Sequence, residues 1–386
     1  MSGLDAEVCV VGLGAVGSMS LWSLARRGVD VLGLEQFWAP HARGASAGES
    51  RLLRTLPYLE RHPEDEAILE AAPAAWSDLE RDSGHDLVVR CGGLIIGPRK
   101  APEMERLVGL AHRRSDIELL DAQQVRIRYP AHRLTDDDIA VLDPAAGLLR
   151  PEMSIAAALR TAVSHGARVH TRERVLRWVP EDDAVTVITD TSRYRVGQLV
   201  LATGPWASEL VPGLPVHPRR LLLTWFMPGD PRSVDWFLPQ AFPSFIRADA
   251  GVFLYGGPTL DGTMVKVAGL EDWGFPDEPR TLDREVTDRD VAGISAAVTR
   301  YFNALDPAPV RAEFHMDGWS DDGTAVVDHL PGHERVVISA GFSGYGFKMA
   351  PVIGDIVADL VLNEETTLPV AHMRADRFAG IPPRPR

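Results

Sequence analysis

Three glycines and one glutamate near the N-terminus have the types and spacing of a nucleotide-binding turn. Gly12, Gly14 and Gly17 fit G-x-G-x-x-G, and Glu35 follows them. In such a motif the first glycine permits a tight turn, the second lets the backbone approach a pyrophosphate, and the third allows close packing of helix on strand. A terminal acid can accept hydrogen bonds from ribose hydroxyls, and its charge would repel a 2′-phosphate, which disfavours NADP. The motif predicts a dinucleotide site but does not separate NAD from FAD.

The segments around the glycines are those that must position them. Residues 8–11 are β-branched and apolar enough for a strand buried on both faces. A helical stretch follows to Arg27, with Gly28 as its C-cap, and residues 29–35 predict a second strand. The helix N-terminus would offer free N–H groups and a positive dipole end to phosphates. The same glycines also suit a purely structural unit, but the full succession of strand, turn, helix, strand and acid favours a binding site.

The rest of the chain predicts one nucleotide domain that a second domain interrupts. Helices are predicted at 64–81, with a break or kink at Pro73, and at 102–114 and 151–166. Strands are predicted at 91–97, 184–189 and 199–204. Between 216 and 314, alternating apolar residues with turns predict further strands. A last strand is predicted at 336–340, followed by a second glycine turn and a helix. The predicted fold class is α/β (α+β overall), a Rossmann-like domain interrupted by a domain with a mixed or antiparallel sheet. Its predicted boundaries are 1–85, 150–215 and 325–386 for the nucleotide domain, and 86–149 and 216–324 for the substrate domain.

Composition narrows the functional class. The chain has 386 residues, a net charge of −14, 45% hydrophobic and 24% charged residues, which argues for a globular protein without a nucleic-acid partner. A local arginine cluster can still bind an anionic substrate. The two cysteines, Cys9 and Cys91, are too few for a disulfide framework or a zinc site, so no metal is expected. Asp5 and Glu7 stand where a signal peptide would be basic, so we expect a soluble cytoplasmic protein without a membrane partner.

Taken together, these segments resemble the monomeric sarcosine oxidase and N-methyltryptophan oxidase family, FAD-dependent amine oxidases of the D-amino-acid oxidase superfamily. The resemblance runs nearly the full length, and it favours FAD over NAD. Its specific pieces are the motif at Gly12 and residues 40–54, 202–204, 265–267 and 341–348. It implies FAD contacts at Gly12, Gly14, Ala15, Val16, Gly17, Glu35, Gly44, Ser46, Arg51, Val175, Gly204, Trp206, His315, Gly341, Gly344, Gly346, Phe347 and Lys348.

The resemblance also implies catalytic and substrate-binding roles. Arg54 and Lys348 would bind the carboxylate of an amino acid, a guanidinium fork beside an ammonium. Lys266, with Arg51 as a second cation, would lie by the flavin and stabilise the charge that develops on dioxygen. The implied reaction moves a hydride equivalent from a C–N bond to FAD, after which the imine hydrolyses and dioxygen becomes hydrogen peroxide. The alternatives are a surface arginine for Arg54 and an exposed strand lysine for Lys266.

This chain departs from the family pattern at three positions. His315 stands where the family has the cysteine that attaches FAD, so we predict non-covalent FAD, with a histidyl link as the alternative. Asp317 replaces an active-site tyrosine and would pair with the substrate amine, pair with a more distant cation, or cap a turn. Leu270 replaces an active-site histidine and widens an apolar wall, which predicts a substrate bulkier than sarcosine.

Other interpretations stay open from the sequence. Trp225, Phe226 and Trp273 would line such a pocket or simply belong to the core. A flavin dehydrogenase with another acceptor, a NAD-dependent dehydrogenase, or a non-catalytic flavin-binding descendant would each be compatible with parts of the pattern. We expect a monomer whose partners are a small amino-acid-like substrate and O2.

Overall fold

The structure, a computed structural model, describes residues 3–56, 62–249, 251–362 and 366–378. Within these ranges the strands are β1 Ala6–Val11, β2 Val31–Glu35, β3 Arg51–Leu53, β4 Val88–Val89, β5 Gly93–Pro98, β6 Glu118–Asp121, β7 Asp138–Asp143, β8 Gly147–Leu149, β9 Arg168–Thr171, β10 Val175–Pro180, β11 Val185–Thr189, β12 Arg193–Leu201, β13 Val216–Phe226, β14 Ser244–Asp249, β15 Val252–Gly257, β16 Val265–Gly269, β17 Arg311–Ser320, β18 Val326–Leu330 and β19 His333–Ala340.

The α-helices of the same ranges are α1 Ala15–Arg26, α2 Asp65–Ser83, α3 Pro102–Ala111, α4 Ala122–Arg128, α5 Pro151–Ser164, α6 Ala207–Leu210, α7 Asp288–Tyr301 and α8 Ala350–Leu362. Short 3₁₀ segments lie at Gly204–Trp206, Pro231–Phe237, Pro279–Thr281, Phe347–Met349, Ala371–Met373 and Ala375–Phe378.

The first large sheet contains the strand that leads into the glycine motif. Its order is β10-β11-β12-β1-β2-β9, and β19 pairs with β12 and with β18. The strands β12, β1, β2, β9 and β19 pair in parallel. The valines of β1 are buried, as expected for a parallel strand covered on both faces. The helices α1, α5 and α8 contribute to a core cluster with β1, so the two ends of the chain meet in one unit.

The second large sheet has the order β17-β13-β16-β15-β14-β5-β7-β6. Its pairings are antiparallel except for β14 with β5. A third sheet joins β3, β8 and β4. The predicted α/β class with a mixed sheet is therefore confirmed. The strands of the first large sheet come from residues 6–35, 168–201 and 326–340, and those of the second from 93–143 and 216–320. The predicted domain boundaries stay a prediction.

One local prediction is wrong. Pro73 does not break the second helix, because α2 runs without interruption from Asp65 to Ser83. Proline removes one backbone hydrogen bond and usually ends a helix. Here buried residues on both sides of the proline pack into the same core and hold the helix together; they are Ile68, Leu69, Ala72 and Trp76.

Candidate active site

One cavity of about 590 Å³ lies where the parallel strands of the first sheet end. The strands β1, β2, β12 and β19 end at Val11, Glu35, Leu201 and Ala340. The residues that follow each of these ends border the cavity. Parallel strands bring their carboxyl ends to one edge of the sheet, and ligands bind in the crevice outside that edge. The position of the cavity thus follows from the topology.

The first glycine turn has a separate physical requirement at each glycine. Gly12 has φ +87°, and a Cβ there would lie 2.7 Å from the carbonyl oxygen of Ala202. A Cβ at Gly17 would lie 1.8 Å from the carbonyl oxygen of Gly12. At Gly14, φ is −72°, and a Cβ would meet only the hydroxyl oxygen of Ser46, at 3.4 Å. The fold itself therefore needs Gly12 and Gly17, whereas Gly14 leaves open space beside the cavity.

Glu35 lies at the same end of the cavity, 4% exposed. Its Oε2 accepts a hydrogen bond from the backbone N–H of Leu13 at 2.9 Å, and its Oε1 accepts one from Phe37 at 3.0 Å. His41 Nε2 lies 3.3 Å from the same Oε1. The carboxylate thus fastens the glycine turn to the end of β2 while it borders the cavity.

The residues for which FAD contacts were predicted lie around this cavity with one exception. The following border it: Gly12, Gly14, Ala15, Val16, Glu35, Gly44, Ser46, Arg51, Val175, Gly204, Trp206, His315, Gly341, Gly344, Gly346, Phe347 and Lys348. Gly17 is not among the described residues that border the cavity. A glycine is needed at this position because α1 packs closely on the turn.

Several polar atoms around the cavity lack partners within the described part of the chain. They are Thr203 Oγ1, Trp206 Nε1, His315 Nδ1 and Ser339 Oγ, all buried and all on residues that border the cavity. Buried polar groups in proteins are nearly always hydrogen-bonded. Together with the glycine turn and the helix N-terminus of α1, these atoms fit a large polar ligand such as a dinucleotide.

Two arginines in and after β3 also border the cavity. Arg51, on β3, donates hydrogen bonds to the carbonyl oxygens of Ala45 (2.9 Å), Ser50 (2.9 Å) and Ala47. Burial lowers its pKa. Arg54 borders the same space, and its guanidinium donates to the carbonyl oxygen of Leu56 at 3.4 Å. These contacts hold two arginines at the rim of one cavity.

Lys348 also borders the cavity, and it is only 4% exposed. Its ammonium donates to the carbonyl oxygen of Tyr345 at 3.0 Å. Trp76 of α2 donates its indole N–H to the carbonyl oxygen of Lys348 at 2.8 Å and stacks on Phe347 with ring centroids 5.8 Å apart. The second helix thereby holds the backbone of Lys348, just before α8.

Asp317 is a carboxyl group on which the charge of Arg51 acts. It is 8% exposed and borders the cavity, and its Oδ1 accepts a hydrogen bond from the backbone N–H of Gly318 at 2.8 Å. Burial raises its pKa to about 6, against the opposing effects of the N–H groups of Gly318 and Gly344 and the charges of Arg51 and Arg219. A group with this pKa exchanges its proton near neutral pH.

Lys266 lies behind the loop that precedes β3. It is 4% exposed, and its ammonium donates to the carbonyl oxygens of Gly48 (2.8 Å) and Ser50 (2.9 Å). Burial lowers its pKa, and the charge of Arg51 lowers it further. Lys266 is not among the described residues that border the cavity. The interpretation as an exposed strand lysine is wrong, because the side chain is buried.

The predicted aromatic wall is not formed by Trp225. That side chain is fully buried between two cations, with Arg311 4.2 Å and Lys266 5.6 Å from its ring centroid, and it does not border the cavity within the described residues. Phe226 is also buried in a core cluster, and Trp273 packs edge-on against Phe314. Leu270 does border the cavity, as the apolar wall requires.

His315 is joined to the surface by a chain of charged groups. Its Nε2 lies 3.1 Å from Glu313 Oε2, and Arg311 pairs with Glu313 (2.8 Å) and with Glu49. Burial lowers the pKa of His315 to about 4, and the charge of Arg51 contributes in the same direction. The imidazole is therefore neutral near pH 7, and its Nε2–H can donate a hydrogen bond to the Glu313 carboxylate.

Four residues that border or support the site were missed in the sequence. Tyr255, Phe253 and Ile246 border the cavity beside Leu270. Glu152, at the start of α5, accepts hydrogen bonds from the backbone N–H groups of Gly48 (2.8 Å) and Glu49 (3.3 Å). For Tyr255, Phe253 and Ile246 the available signal was the alternation of apolar residues along β14 and β15. This alternation does not show which face of the sheet meets the cavity. For Glu152 no signal existed, because the contact joins distant parts of the chain.

The described residues contain no group of three or more side chains placed to hold a metal ion. No helix in these ranges is both long and apolar enough to cross a membrane.

Comparison with known proteins defines the class. The family described as FAD dependent oxidoreductase matches residues 7–360. The chain belongs to this family of FAD-dependent oxidoreductases, which confirms the resemblance and the choice of FAD over NAD. It is 36% identical to the monomeric sarcosine oxidase of Streptomyces avermitilis, over 97% of this chain and 98% of that protein. It is 28% identical to the N-methyl-L-tryptophan oxidase of Salmonella arizonae, over 97% and 99%.

Solved structures share the fold. The open form of NikD, an unusual amino acid oxidase essential for nikkomycin biosynthesis, superposes with a TM-score of 0.83 at 22% identity, over 96% of this chain and 97% of that one. The L-proline dehydrogenase of P. horikoshii gives a TM-score of 0.82 at 19% identity, over 99% and 100%.

Proposed function

We propose that the protein oxidises the C–N bond of an amino acid, either N-alkyl, cyclic or primary, and passes the electrons through FAD to dioxygen. One observation carries this proposal: the cavity that begins at the Gly12 turn also has Arg54 and Lys348 on its border. Groups suited to a dinucleotide and groups suited to a carboxylate thus share one space. The names of the relatives, a sarcosine oxidase and an N-methyl-L-tryptophan oxidase, support the same class of substrate.

FAD would be held by the turn at Gly12, Gly14 and the start of α1, by Glu35, and by the segment 341–348. When bound, FAD supplies the acceptor for a hydride equivalent from the substrate carbon. We propose that it is bound without a covalent link. The position of the family cysteine is His315, Cys9 is buried in β1, and burial raises the pKa of Cys91 to about 11, which leaves that thiol unreactive.

The proposed work of the side chains is orientation and electrostatics. Arg54 meets the substrate carboxylate with a two-pronged fork, and Lys348 adds a second charge. A carboxylate fixed at two points presents the neighbouring C–N bond in one orientation. The imine that forms hydrolyses in water. Lys266 and Arg51 place positive charge behind and beside the reacting space, which favours the negative charge that develops when dioxygen is reduced to hydrogen peroxide.

The wall of the cavity supports an apolar side chain on the substrate. Ile246, Phe253 and Leu270 border the cavity near Tyr255. We therefore propose an amino acid bulkier than sarcosine. A screen of N-methyl, cyclic and primary amino acids for peroxide release, with a peroxidase-coupled dye, tests this. We expect peroxide from bulky apolar amino acids at a higher kcat/KM than from sarcosine.

A dehydrogenase that passes electrons to another acceptor is the second candidate. It is favoured by the position of Lys266, which does not border the cavity within the described residues. Turnover of an amino acid with a dye acceptor under anaerobic conditions, but without peroxide in air, would decide for it. No turnover of any amino acid in either assay would contradict the proposed function altogether.

Two physical properties belong to the same proposal. Precipitation in acid should leave the yellow flavin in the supernatant, and colour on the pellet would instead show a covalent link, for which His315 is the candidate. We also propose a monomer, as in the name of the Streptomyces relative. Gel filtration with light scattering measures its mass against the 42.2 kDa of the chain.

A further inference from the structure

Asp317 is a buried carboxyl group that borders the same cavity as Arg51, Arg54 and Lys348, and the charge of Arg51 acts on it. Within the described part of the chain, two backbone N–H groups donate hydrogen bonds to it, those of Gly318 and Gly344. An ionised carboxylate has about four acceptor positions. Acceptor capacity therefore remains on a charged group that borders the proposed substrate space.

We propose that Asp317 binds the ammonium group of the substrate and takes up one of its protons. The amino acid would then bind as a zwitterion, its carboxylate at Arg54 and Lys348 and its ammonium at Asp317. In the proton step an N–H bond of the ammonium breaks and an O–H bond forms on Asp317, so the amine becomes neutral before its C–N bond is oxidised. This inference rests on the proposed function and names the protonation state of its substrate.

The charges around Asp317 suit this exchange. Arg51 faces it from β3, Arg219 stands opposite it in the register of β13, and Tyr255 faces it from β15. Burial raises the pKa of the carboxyl to about 6, while both arginines and both N–H groups lower it. The group is thus ionised at pH 7 and ready to accept an ammonium, yet more basic than an ordinary aspartate.

A purely structural role is the competing explanation, because the same carboxyl holds the backbone at Gly318 and Gly344. The two roles differ in what they do to ligands without an amine. A structural loss would weaken the binding of every carboxylate, since it would disturb the segment that contains Lys348. Loss of an ammonium partner would weaken only ligands that carry the amine.

The test compares the holoenzyme with its Asp317→Asn variant, and with Asp272→Asn as the matched control. Asp272 is an exposed carboxylate 3.9 Å from Arg219, so the control removes one charge next to the same arginine but outside the cavity. KM and kcat are measured for the best amino acid of the screen. Calorimetry measures the Kd of pentanoate, which has a carboxylate and no nitrogen.

We expect Asp317→Asn to raise KM by about tenfold to about a hundredfold, as for a hydrogen bond to a charged group. The Kd of pentanoate should change by less than about twofold, and Asp272→Asn should behave as wild type. Equal losses for the amino acid and for pentanoate would overturn the proposal in favour of the structural role. Wild-type turnover of amino acids is a separate result, so the proposed function can stand while this inference fails.

The wild-type protein offers a second test that needs no variant. Because kcat/KM reports groups of the free enzyme, it should decrease about tenfold per pH unit below about pH 6, where Asp317 is protonated. Between pH 7 and about pH 5.5, where pentanoate itself stays mainly ionised, its binding should not weaken. A flat kcat/KM between pH 5 and pH 7, or a parallel loss of pentanoate binding, would overturn the proposal.

Discussion

Replacing Gly14 by alanine should separate binding of the cofactor from stability of the fold. The backbone at Gly14 is extended, with φ −72°, so any residue can adopt it. An added Cβ would meet only the hydroxyl oxygen of Ser46, at 3.4 Å. The protein without FAD should therefore lose only about 1 kcal/mol of unfolding free energy, the cost of exchanging glycine for alanine at a helix N-cap.

The effect on FAD should be larger. If the phosphates of FAD approach the backbone at Gly14, a methyl group there removes one or more hydrogen bonds to a charged group. Each such bond contributes about 1.5–3 kcal/mol, which corresponds to a Kd for FAD weaker by about tenfold to about 150-fold.

Two other glycines provide the controls. At Gly17 the Cβ would lie 1.8 Å from the carbonyl oxygen of Gly12, so Gly17→Ala should lower the unfolding free energy by about 1–3 kcal/mol or more. At Gly28, φ is +83° and no atom lies within 4 Å of the Cβ position. Gly28→Ala should therefore cost about 1–2 kcal/mol of backbone strain and leave FAD affinity unchanged.

The assay measures both quantities for each variant. Urea denaturation of the FAD-free protein gives the unfolding free energy, and quenching of flavin fluorescence on titration gives the Kd. A Gly14→Ala protein that binds FAD within about twofold of wild type would refute the reasoning. So would an equal loss of affinity in Gly28→Ala, since affinity would then follow general destabilisation.

Three further predictions concern ionisable side chains. In stopped-flow experiments, Lys266→Met should slow the oxidation of the reduced enzyme by O2 by a factor of about 10²–10³. The control variant Lys100→Met, which replaces an exposed lysine, should keep the wild-type rate. An unchanged rate in Lys266→Met would show that this residue has no role in oxygen reduction. Arg54→Lys should raise the substrate KM by about tenfold, because lysine cannot form the two-pronged contact, with FAD content unchanged; a wild-type KM would place the carboxylate elsewhere. Burial lowers the pKa of His132 to about 3, so its contribution to stability is complete above about pH 6.5 and decreases as the pH falls toward 3. Between pH 6.5 and pH 4 the unfolding free energy of the wild type should therefore fall by a few kcal/mol more than that of His132→Leu, at about 1.4 kcal/mol per pKa unit. Identical slopes of unfolding free energy against pH in the two proteins would contradict this prediction.

Local sequence patterns were enough to predict the strands and the helix that position the glycines of the first turn. The β-branched run of β1, the glycines with their special conformations and the acid at the end of β2 are all local features. Their physical requirements, such as the positive φ of Gly12, act within a few residues or between neighbouring elements. The family resemblance then added FAD, which the motif alone did not distinguish from NAD.

Contacts between distant segments were decided only in three dimensions. Helix α2 continues through Pro73 because residues before and after it pack into one core. Lys266 is a strand lysine by sequence, but its ammonium lies on the carbonyl oxygens of a loop more than two hundred positions earlier. Trp225 is an aromatic residue of the kind that lines pockets, but its side chain is enclosed between Arg311 and Lys266.

By itself, then, the sequence identified the glycine turn with Glu35 as a nucleotide site, and the family resemblance added Arg51, Arg54, Lys266 and Lys348 as predicted site residues. The tertiary structure decided which of them share a space. Burial belongs to the folded chain alone, and it raises the pKa of Asp317 against the charges of Arg51 and Arg219 and lowers the pKa of His315. A residue type sets what a side chain can donate or accept, but its protonation and its partners depend on what the fold brings next to it.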